Sequence, residues 1–295
     1  MAATAGSEQG SGALELLASH TCHGGLVRFY RHASRATQCA MRFGIFVPDG
    51  ANAATPRPVL YYLAGLTCTE ETFLIKAGAL RRAAELGLVL VAPDTSPRDV
   101  PLPGDRDHWD FGVAAGFYLD ATQSPWSAHY RMETYVSAEL PALVAAHFPV
   151  DPARTGLFGH SMGGHGALTL ALKHPTLYRS VSAFAPISAA SQCPWGEKAL
   201  GHYLGADRAA WLDCDAASLI TRHGGARWPR PVLVDQGLAD PFLERELKPA
   251  LLADACRAAG VDLVQRLHEG YDHGYYFIQS FIDDHLAHHA RELGA

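Results

Sequence analysis

The segment FGHSMGGHG (158–166) surrounds one serine with two histidines and four glycines. Its centre, G-H-S-M-G around Ser161, matches the G-x-S-x-G pattern, in which a nucleophilic serine sits on a sharp turn from a strand into a helix. A short apolar run precedes it, and a helix-like run, GGHGALTLALKHP (163–175), follows it. Side chains at Gly159 and Gly163 would collide with neighbouring backbone at such a turn. We therefore predict that Ser161 is a nucleophile, the alternative being a flexible loop rich in glycine and serine.

Short apolar runs alternate with helix-like segments along the rest of the chain. We predict strands at MRFGIFVP (41–48), PVLYYLAG (58–65), LVLVAPD (88–94), TGLFGH (155–160), SVSAFAP (180–186), PVLVDQG (231–237) and DLVQRLHEG (262–270). We predict helices at 71–87, 135–148, 163–175, 244–260 and 275–294. Several runs are apolar almost without alternation, which suits strands buried on both faces of a parallel sheet. The alternation predicts an α/β fold with a doubly wound, mostly parallel sheet and helices on both faces.

No internal repeat or low-complexity linker divides the chain after residue 13. We predict that residues 1–13, which are small and polar, form a disordered tail and that residues 14–295 form a single domain. Two long segments, 93–126 and 187–228, fit neither a helix nor a strand. Long irregular segments in a compact α/β domain usually carry function.

The composition excludes several classes of protein. A net charge of −6 provides no basic footprint for a nucleic acid. No apolar run approaches the roughly 20 residues that span a bilayer. The first dozen residues lack the basic and apolar regions of a secretion signal, so we do not expect them to be one. The six cysteines are scattered without a C-x-x-C pair, which argues against a zinc or dithiol redox site. We expect reduced thiols and a cytoplasmic location.

A serine nucleophile needs a histidine base, and the histidines that follow Ser161 differ in their predicted surroundings. His165 and His174 are predicted on the helix after the serine, pointing away from the active edge. The C-terminal helix carries three more on a face expected to be solvated, namely His285, His288 and His289. His268 lies at the end of a strand. His273, in EGYDHGYY, lies in a glycine-flanked loop between a strand and a helix, where the carboxyl ends of parallel strands collect catalytic groups. We predict that His273 is the base.

The acid that orients this histidine should lie in the loop after the preceding strand. Asp240, in QGLADPF, has that position. Asp235 lies within the strand itself, and Asp272 is adjacent to the histidine, so that the two side chains diverge. We predict Asp240 as the acid and expect the rejected aspartates to be helix caps or surface charges.

The oxyanion of the reaction needs backbone donors. The N–H of Met162, directly after the nucleophile, should be one of them. The second should come from the loop in YYLAGLTCTEE, where Gly65 permits a sharp turn and Leu66 supplies the N–H. Cys68 lies two residues further on, and we expect it near the substrate pocket, the alternative being a buried small hydrophobe.

Extended blocks across the chain after about residue 20 resemble the S-formylglutathione hydrolase (esterase D) family. They include LAGLTCTEETF (63–73), LVLVAPDTSPR (88–98), YRMETYVSAELP (130–141), FPVDPARTGLFGHSMGGHGAL (148–168) and EGYDHGYYFIQSFIDDH (269–285). The resemblance implies an α/β hydrolase that is cytosolic, often dimeric and free of metals and cofactors. It implies hydrolysis of S-formylglutathione to formate and glutathione, the step after formaldehyde is captured and oxidised. Carried over by motif, the family's triad falls on Ser161, Asp240 and His273 and its oxyanion donors on Leu66 and Met162.

The chain departs from the family's usual pattern around the acid, because the segment QGLADP (236–241) is more apolar. Aromatic residues of the irregular segments, Trp109, Phe111 and Trp195, are expected to surround a small acyl pocket, with ordinary core packing as the alternative. A general short-chain carboxylesterase or acyltransferase is the competing function. A metallohydrolase using the H-x-x-H-H run at 285–289 is disfavoured, because no H-E-x-x-H or C-x-x-C motif supports it.

Overall fold

The computed structural model describes residues 14–295, so the predicted tail at 1–13 lies outside the described residues. Within them, nine strands form one sheet in the order β1-β2-β3-β5-β4-β6-β7-β8-β9. Their bounds are β1 Glu15–Thr21, β2 Gly25–Ser34, β3 Cys39–Pro48, β4 Arg57–Leu63, β5 Val89–Pro93, β6 Val150–His160, β7 Ser180–Phe184, β8 Val232–Gly237 and β9 Leu263–His268. The prediction that residues 14–295 form a single domain stays a prediction.

Strands β5, β4, β6, β7, β8 and β9 pair in parallel, whereas β1, β2 and β3 add an antiparallel end to the sheet. Each apolar run that predicts a strand forms one. Every residue of β5, β7 and β8 is buried, as expected where helices cover both faces of a parallel sheet. The predicted α/β class with a mostly parallel sheet is confirmed, and β1 and β2 are additions that the sequence reading missed.

Ten α-helices accompany the strands in the described part of the chain. They are α1 Thr72–Lys76, α2 Leu80–Leu86, α3 Met132–Thr134, α4 Leu140–His147, α5 Met162–Lys173, α6 Pro194–Leu204, α7 Arg208–Trp211, α8 Ala216–Arg227, α9 Pro249–Ala259 and α10 Tyr275–Leu293. None of the described helices is long and apolar enough to cross a membrane. Segment 187–228, which resisted assignment, contains α6, α7 and α8.

Two predicted helices are interrupted for local reasons. The one predicted at 71–87 divides into α1 and α2, because Gly78 adopts φ +70° between them. The one predicted at 244–260 starts at Pro249, after Lys248 turns to φ +47°, and a short π-helical turn, Leu243–Leu247, precedes it. Proline is favoured in the first turn of a helix, where its missing N–H costs nothing.

Helices α5 and α10 cover opposite faces of the sheet. On β6, the Cβ direction of Gly159 meets the backbone of α5, whereas the ring of the neighbouring Phe158 packs 5.2 Å from that of His289 on α10. Successive strand residues point to opposite faces, so the two helices lie on either side. The helices are therefore distributed as the doubly wound prediction requires.

The three histidines of the C-terminal helix correct a prediction. They were expected on a solvated face, but His285, His288 and His289 are between 0% and 4% exposed. His285 Nδ1 and His289 Nε2 hydrogen-bond to the hydroxyl of Ser182 on β7, at 2.8 and 2.9 Å. The face of α10 that they occupy packs on the sheet, and the small polar residues of β7 supply the partners that buried imidazoles need.

Candidate active site

Ser161 stands between the last residue of β6 and the first residue of α5. Its backbone has φ 57° and ψ −119°, outside the helical and extended regions and strained for a residue with a side chain. Its N–H donates to the carbonyl of Phe184 at 3.0 Å, and its own carbonyl accepts from the N–H of His165 at 2.9 Å and that of Ile187 at 3.3 Å. Neighbouring segments therefore hold the strained turn in place.

The glycines on either side of the serine are required by close approach of the backbone. A Cβ at Gly159 would overlap the carbonyl oxygen of Gly163, and a Cβ at Gly163 would overlap that of Leu63 on β4. Both obstacles are backbone atoms, which cannot rotate away as a side chain can. The turn can therefore form only with glycine at both positions.

Asp240 and His273 are joined by a hydrogen bond of 2.5 Å between Oδ2 and Nδ1. Asp240 follows β8 and His273 follows β9, so both lie at the carboxyl ends of neighbouring parallel strands. The Asp240 side chain is fully buried, and its Oδ1 accepts from the N–H of Phe242 at 2.8 Å. Gln236 donates to Oδ2 at 3.3 Å. This arrangement fixes the imidazole with Nδ1 toward the carboxylate and leaves Nε2 for chemistry.

Leu66 approaches the serine from the loop after β4. A Cβ added at the preceding residue, Gly65, would lie 3.2 Å from Cβ of Ser161, so this loop passes directly beside that serine. Leu66 is buried and lines the same cavity as Ser161. Met162 is the first residue of α5, and its N–H has no acceptor within the helix. The structure thus brings Leu66 and Met162, the two predicted backbone donors, close to Ser161, the predicted nucleophile.

A cavity of about 380 Å³ opens over Ser161 and His273. Cys68, Trp109 and Trp195 line it, where the sequence reading expected pocket residues. Phe111 does not line it. Its ring is 4% exposed and packs 4.8 Å from Trp126 and 4.9 Å from Tyr203, so its placement in the pocket is corrected to the core-packing alternative.

Comparison with known proteins fits this geometry. Residues 34–288 match the family model described as "Putative esterase". The S-formylglutathione hydrolase of Rattus norvegicus is 50% identical, covering 96% of this chain and 99% of that protein, and the one of Mus musculus is 50% identical over 96% and 100%. This chain belongs to the S-formylglutathione hydrolase family. The family resemblance predicted from the sequence is confirmed, as is an enzyme of the serine hydrolase type.

Solved structures agree with the family assignment. The structure of an S-formylglutathione hydrolase from Agrobacterium tumefaciens superposes with a TM-score of 0.91 at 50% identity, covering 95% of this chain and 99% of that one. A ferulic acid esterase with a TM-score of 0.72 is only 19% identical and therefore shares the fold alone.

The sequence reading missed several residues that line the cavity in this member of the family. His160, Phe242 and Tyr275 contribute rings to it, and Thr72 and Lys76 contribute polar groups from α1. His160 lies directly before Ser161, whereas the base of this fold is expected among the histidines that follow the serine. Neither of its ring nitrogens has a hydrogen-bond partner among residues 14–295, and burial holds the pKa of His160 well below its usual range. Its imidazole therefore stays neutral, 4.4 Å from that of His273.

Asp235, which was rejected as the acid, is not the cap or surface charge that was expected. It is fully buried, and Arg266 Nε donates to its Oδ1 at 2.6 Å while His285 Nε2 lies 3.1 Å from its Oδ2. Burial alone would raise the pKa of Asp235, but hydrogen bonds from His285 and Arg266 outweigh it and hold that pKa well below the usual range. Asp235 is therefore engaged in an internal ion pair on the α10 side of the sheet.

Proposed function

We propose that the chain hydrolyses S-formylglutathione to formate and glutathione, through a formyl ester on Ser161. The observation that carries this proposal is that a serine on a strained turn and a histidine line one cavity, with a buried carboxylate 2.5 Å from that histidine. The relatives named S-formylglutathione hydrolase, at about half identity over nearly the whole chain, support the choice of substrate.

Acylation begins when Ser161 Oγ attacks the formyl carbon. His273 Nε2 takes the hydroxyl proton as the C–O bond forms. Asp240 holds the imidazole in the tautomer that leaves Nε2 free and stabilises its charged form. The negative charge that develops on the formyl oxygen is held by the N–H groups of Leu66 and Met162, each worth about 3–4 kcal/mol of barrier.

The intermediate collapses with cleavage of the C–S bond. The proton on His273 passes to the departing sulfur, which needs less help than an alkoxide would because a thiol has a pKa of about 8.5. Water then attacks the formyl ester and gives its proton to His273. The C–O bond to Ser161 breaks, the proton returns to Oγ, and formate is released.

The test uses Ser161→Ala and His273→Ala with S-formylglutathione, followed by the ultraviolet absorbance of the thioester. We expect each variant to lower kcat by at least about 10⁴-fold, and the double variant to be little worse than either, because triad members act as a unit. Far-ultraviolet circular dichroism provides the control for folding, and a chelator should have no effect. Substantial thioesterase activity in a folded Ser161→Ala protein would sink the mechanism.

Substrate choice is tested with the wild-type chain. We expect kcat/KM for S-formylglutathione to exceed that for short-chain aryl esters after correction for their uncatalysed hydrolysis. The reverse order would replace the proposed function by the general carboxylesterase.

We also propose a cytoplasmic location and a homodimer. The six cysteines are all free thiols in the structure, which suits a reducing compartment. The apolar residues Leu16, Leu17 and Ile75 are exposed and are suited to a contact between two chains. Fractionation of cells and sedimentation equilibrium test the two proposals.

A further inference from the structure

A second cavity, of about 460 Å³, lies directly beside the one that holds Ser161 and His273. Trp109, Trp195 and Phe242 line both cavities, and we call these three side chains the aromatic wall. The ring of Trp195 lies 5.5 Å from that of Trp109 and 4.7 Å from that of Phe242, and Phe242 lies 5.0 Å from His273. One layer of rings therefore separates the second cavity from the reacting groups.

The second cavity differs from the first in carrying charges of both signs. Lys198 Nζ lies 2.7 Å from Oδ1 of Asp110, and Arg245 Nε lies 3.5 Å from Oε1 of Glu246. Both cations have unused donors. Asp110 occupies one of the three Lys198 donors, and within residues 14–295 Arg245 forms this ion pair without a hydrogen bond.

Each segment that builds the aromatic wall also supplies a charge to the second cavity. Trp109 is followed by Asp110, and Trp195 precedes Lys198 by one turn of α6. Phe242 directly precedes the π-helical turn Leu243–Leu247, which carries Arg245 and Glu246. Glu246 is 4% exposed, and its Oε2 accepts from the N–H of Trp195 at 2.9 Å. The carboxylate of Glu246 is thus held in a fixed position relative to the wall.

The proposed substrate carries matching groups at a suitable place. When the formyl carbon lies at Ser161, the sulfur and the tripeptide behind it must extend out of the first cavity. One end of the tripeptide, the γ-glutamyl residue, has an α-carboxylate and an ammonium group on the same carbon, whereas the glycine end has a carboxylate alone. A site with two cations and two carboxylates fits the end that bears both signs.

We propose that the second cavity binds the γ-glutamyl end of the leaving group, with Lys198 and Arg245 on its α-carboxylate and Asp110 and Glu246 on its ammonium group. The inference rests on the proposed function.

The test compares two substrates in the same variants. One is S-formylglutathione, and the other is 4-nitrophenyl acetate, which has neither a carboxylate nor an ammonium group. The ratio of their kcat/KM values should fall about 10- to 100-fold in Lys198→Met, where a charge-assisted bond in a partly buried site is lost. In Arg245→Gln it should fall about 3- to 10-fold, because this side chain is 77% exposed and solvent screens its charge. Lys198→Arg should retain most of the ratio.

Two matched controls lie away from both cavities. Lys173 forms an ion pair with Glu133, and its side chain is 24% exposed, against 30% for that of Lys198. Arg257 is 75% exposed, against 77% for Arg245. Lys173→Met and Arg257→Gln should change the ratio less than about twofold.

A second measurement serves if a variant folds poorly. S-methylglutathione and S-methylcysteinylglycine, which lacks the γ-glutamyl residue, are compared as inhibitors of 4-nitrophenyl acetate hydrolysis by the wild-type chain. We expect S-methylglutathione to bind at least about 10-fold more tightly. Two results overturn this inference while leaving the proposed function intact, provided that the wild-type chain hydrolyses S-formylglutathione efficiently. One is equal inhibition by the two compounds, and the other is an unchanged substrate ratio in Lys198→Met and Arg245→Gln. A wild-type chain that does not hydrolyse S-formylglutathione overturns the proposed function and the inference together.

Discussion

Mild acid should weaken the folded state, because histidines are buried in their uncharged form. His165 and His288 are 1% and 4% exposed. Burial lowers the pKa of each from 6.5 to about 4. His165 Nδ1 has no hydrogen-bond partner among the described residues, and His288 Nε2 donates to the carbonyl of Val181 at 3.2 Å. A second proton on either imidazole would place a charge in the protein interior and lower the stability of the folded state.

The direction and size of the effect follow from these pKa values. The unfolded chain takes up a proton at each histidine near pH 6.5, whereas the folded chain does so only near pH 4. The stabilisation is therefore fully present above pH 6.5 and is lost as the pH falls toward 4. Each group contributes about 1.36 kcal/mol per pH unit, which is about 2 kcal/mol at pH 5 and about 4 kcal/mol for both.

Other buried groups modify the total. Burial also lowers the pKa of His285 and His289, which steepens the loss. The pKa of Asp235 is held low, so this carboxylate adds to the loss of stability only when the pH falls below about 4. Glu70 acts in the opposite direction, because burial raises its pKa. The net loss by pH 5 is a large part of the 5–15 kcal/mol, roughly, that stabilises a typical domain.

The assay is urea unfolding, followed by tryptophan fluorescence at pH values from 7.5 to 5. The free energy of unfolding of the wild-type chain should fall by about 4 kcal/mol or more across this range. In His165→Leu or His288→Leu the fall should be smaller by about 2 kcal/mol, whatever the variant costs at neutral pH. His108→Gln, at an exposed position, serves as the control. Equal pH slopes for the wild type and the two buried-site variants would refute the reasoning.

Three further predictions concern the active site. Gly163→Ala should lower the free energy of unfolding, measured in urea, by more than about 3 kcal/mol or prevent folding, because the added Cβ would overlap a backbone carbonyl. Gly201→Ala is the control and should be nearly neutral, because the atom nearest to its added Cβ is 3.6 Å away. A bulky maleimide should inhibit the enzyme by attaching to Cys68, which lines the cavity. The reaction should be slow at neutral pH, because burial raises the pKa of this thiol. Equal sensitivity of Cys68→Ser would assign the inhibition to another cysteine. Corrected kcat/KM should fall from formyl to acetyl to propionyl thioesters of glutathione, by about 1–3 kcal/mol for each added methylene, and less steeply in Trp195→Ala; a flat series in the wild type would favour a general carboxylesterase.

The position of Ser161, the proposed nucleophile, was predictable because the interactions that shape its turn are local. Ser161, its flanking glycines, the strand before it and the helix after it lie within a short stretch of chain, and the clash that demands glycine involves the turn itself and the adjacent strand β4. His273 and Asp240 were predictable for a related reason. Parallel strands end at one edge of the sheet, so residues just after consecutive strands meet there.

Burial on the C-terminal helix was not predictable from the helix alone. The run from Asp283 to His289 is rich in polar side chains, and such a face is usually solvated. His285 and His289 can be buried because α10 packs on the sheet and Ser182, about a hundred residues earlier on β7, supplies their hydrogen-bond partner. Strand β2 is a different case, because buried side chains alternate along Val27, Phe29 and their neighbours, and this signal was present in the sequence.

The residues that line the pocket were harder to predict from the sequence than the proposed catalytic residues. Its aromatic wall comes from three segments far apart in the sequence, and their paths depend on long-range contacts such as the bond between Glu246 and the backbone of Trp195. A strand end fixes where a catalytic residue lies, but no such regularity fixes Trp109 or Lys198. The side chains of Trp109 and Lys198 can therefore change without removing a contact of Asp240, whereas the segment of Phe242 donates to that carboxylate. If the second cavity selects the leaving group, exchanging its charges alters which thiol is released while the hydrolytic steps stay the same.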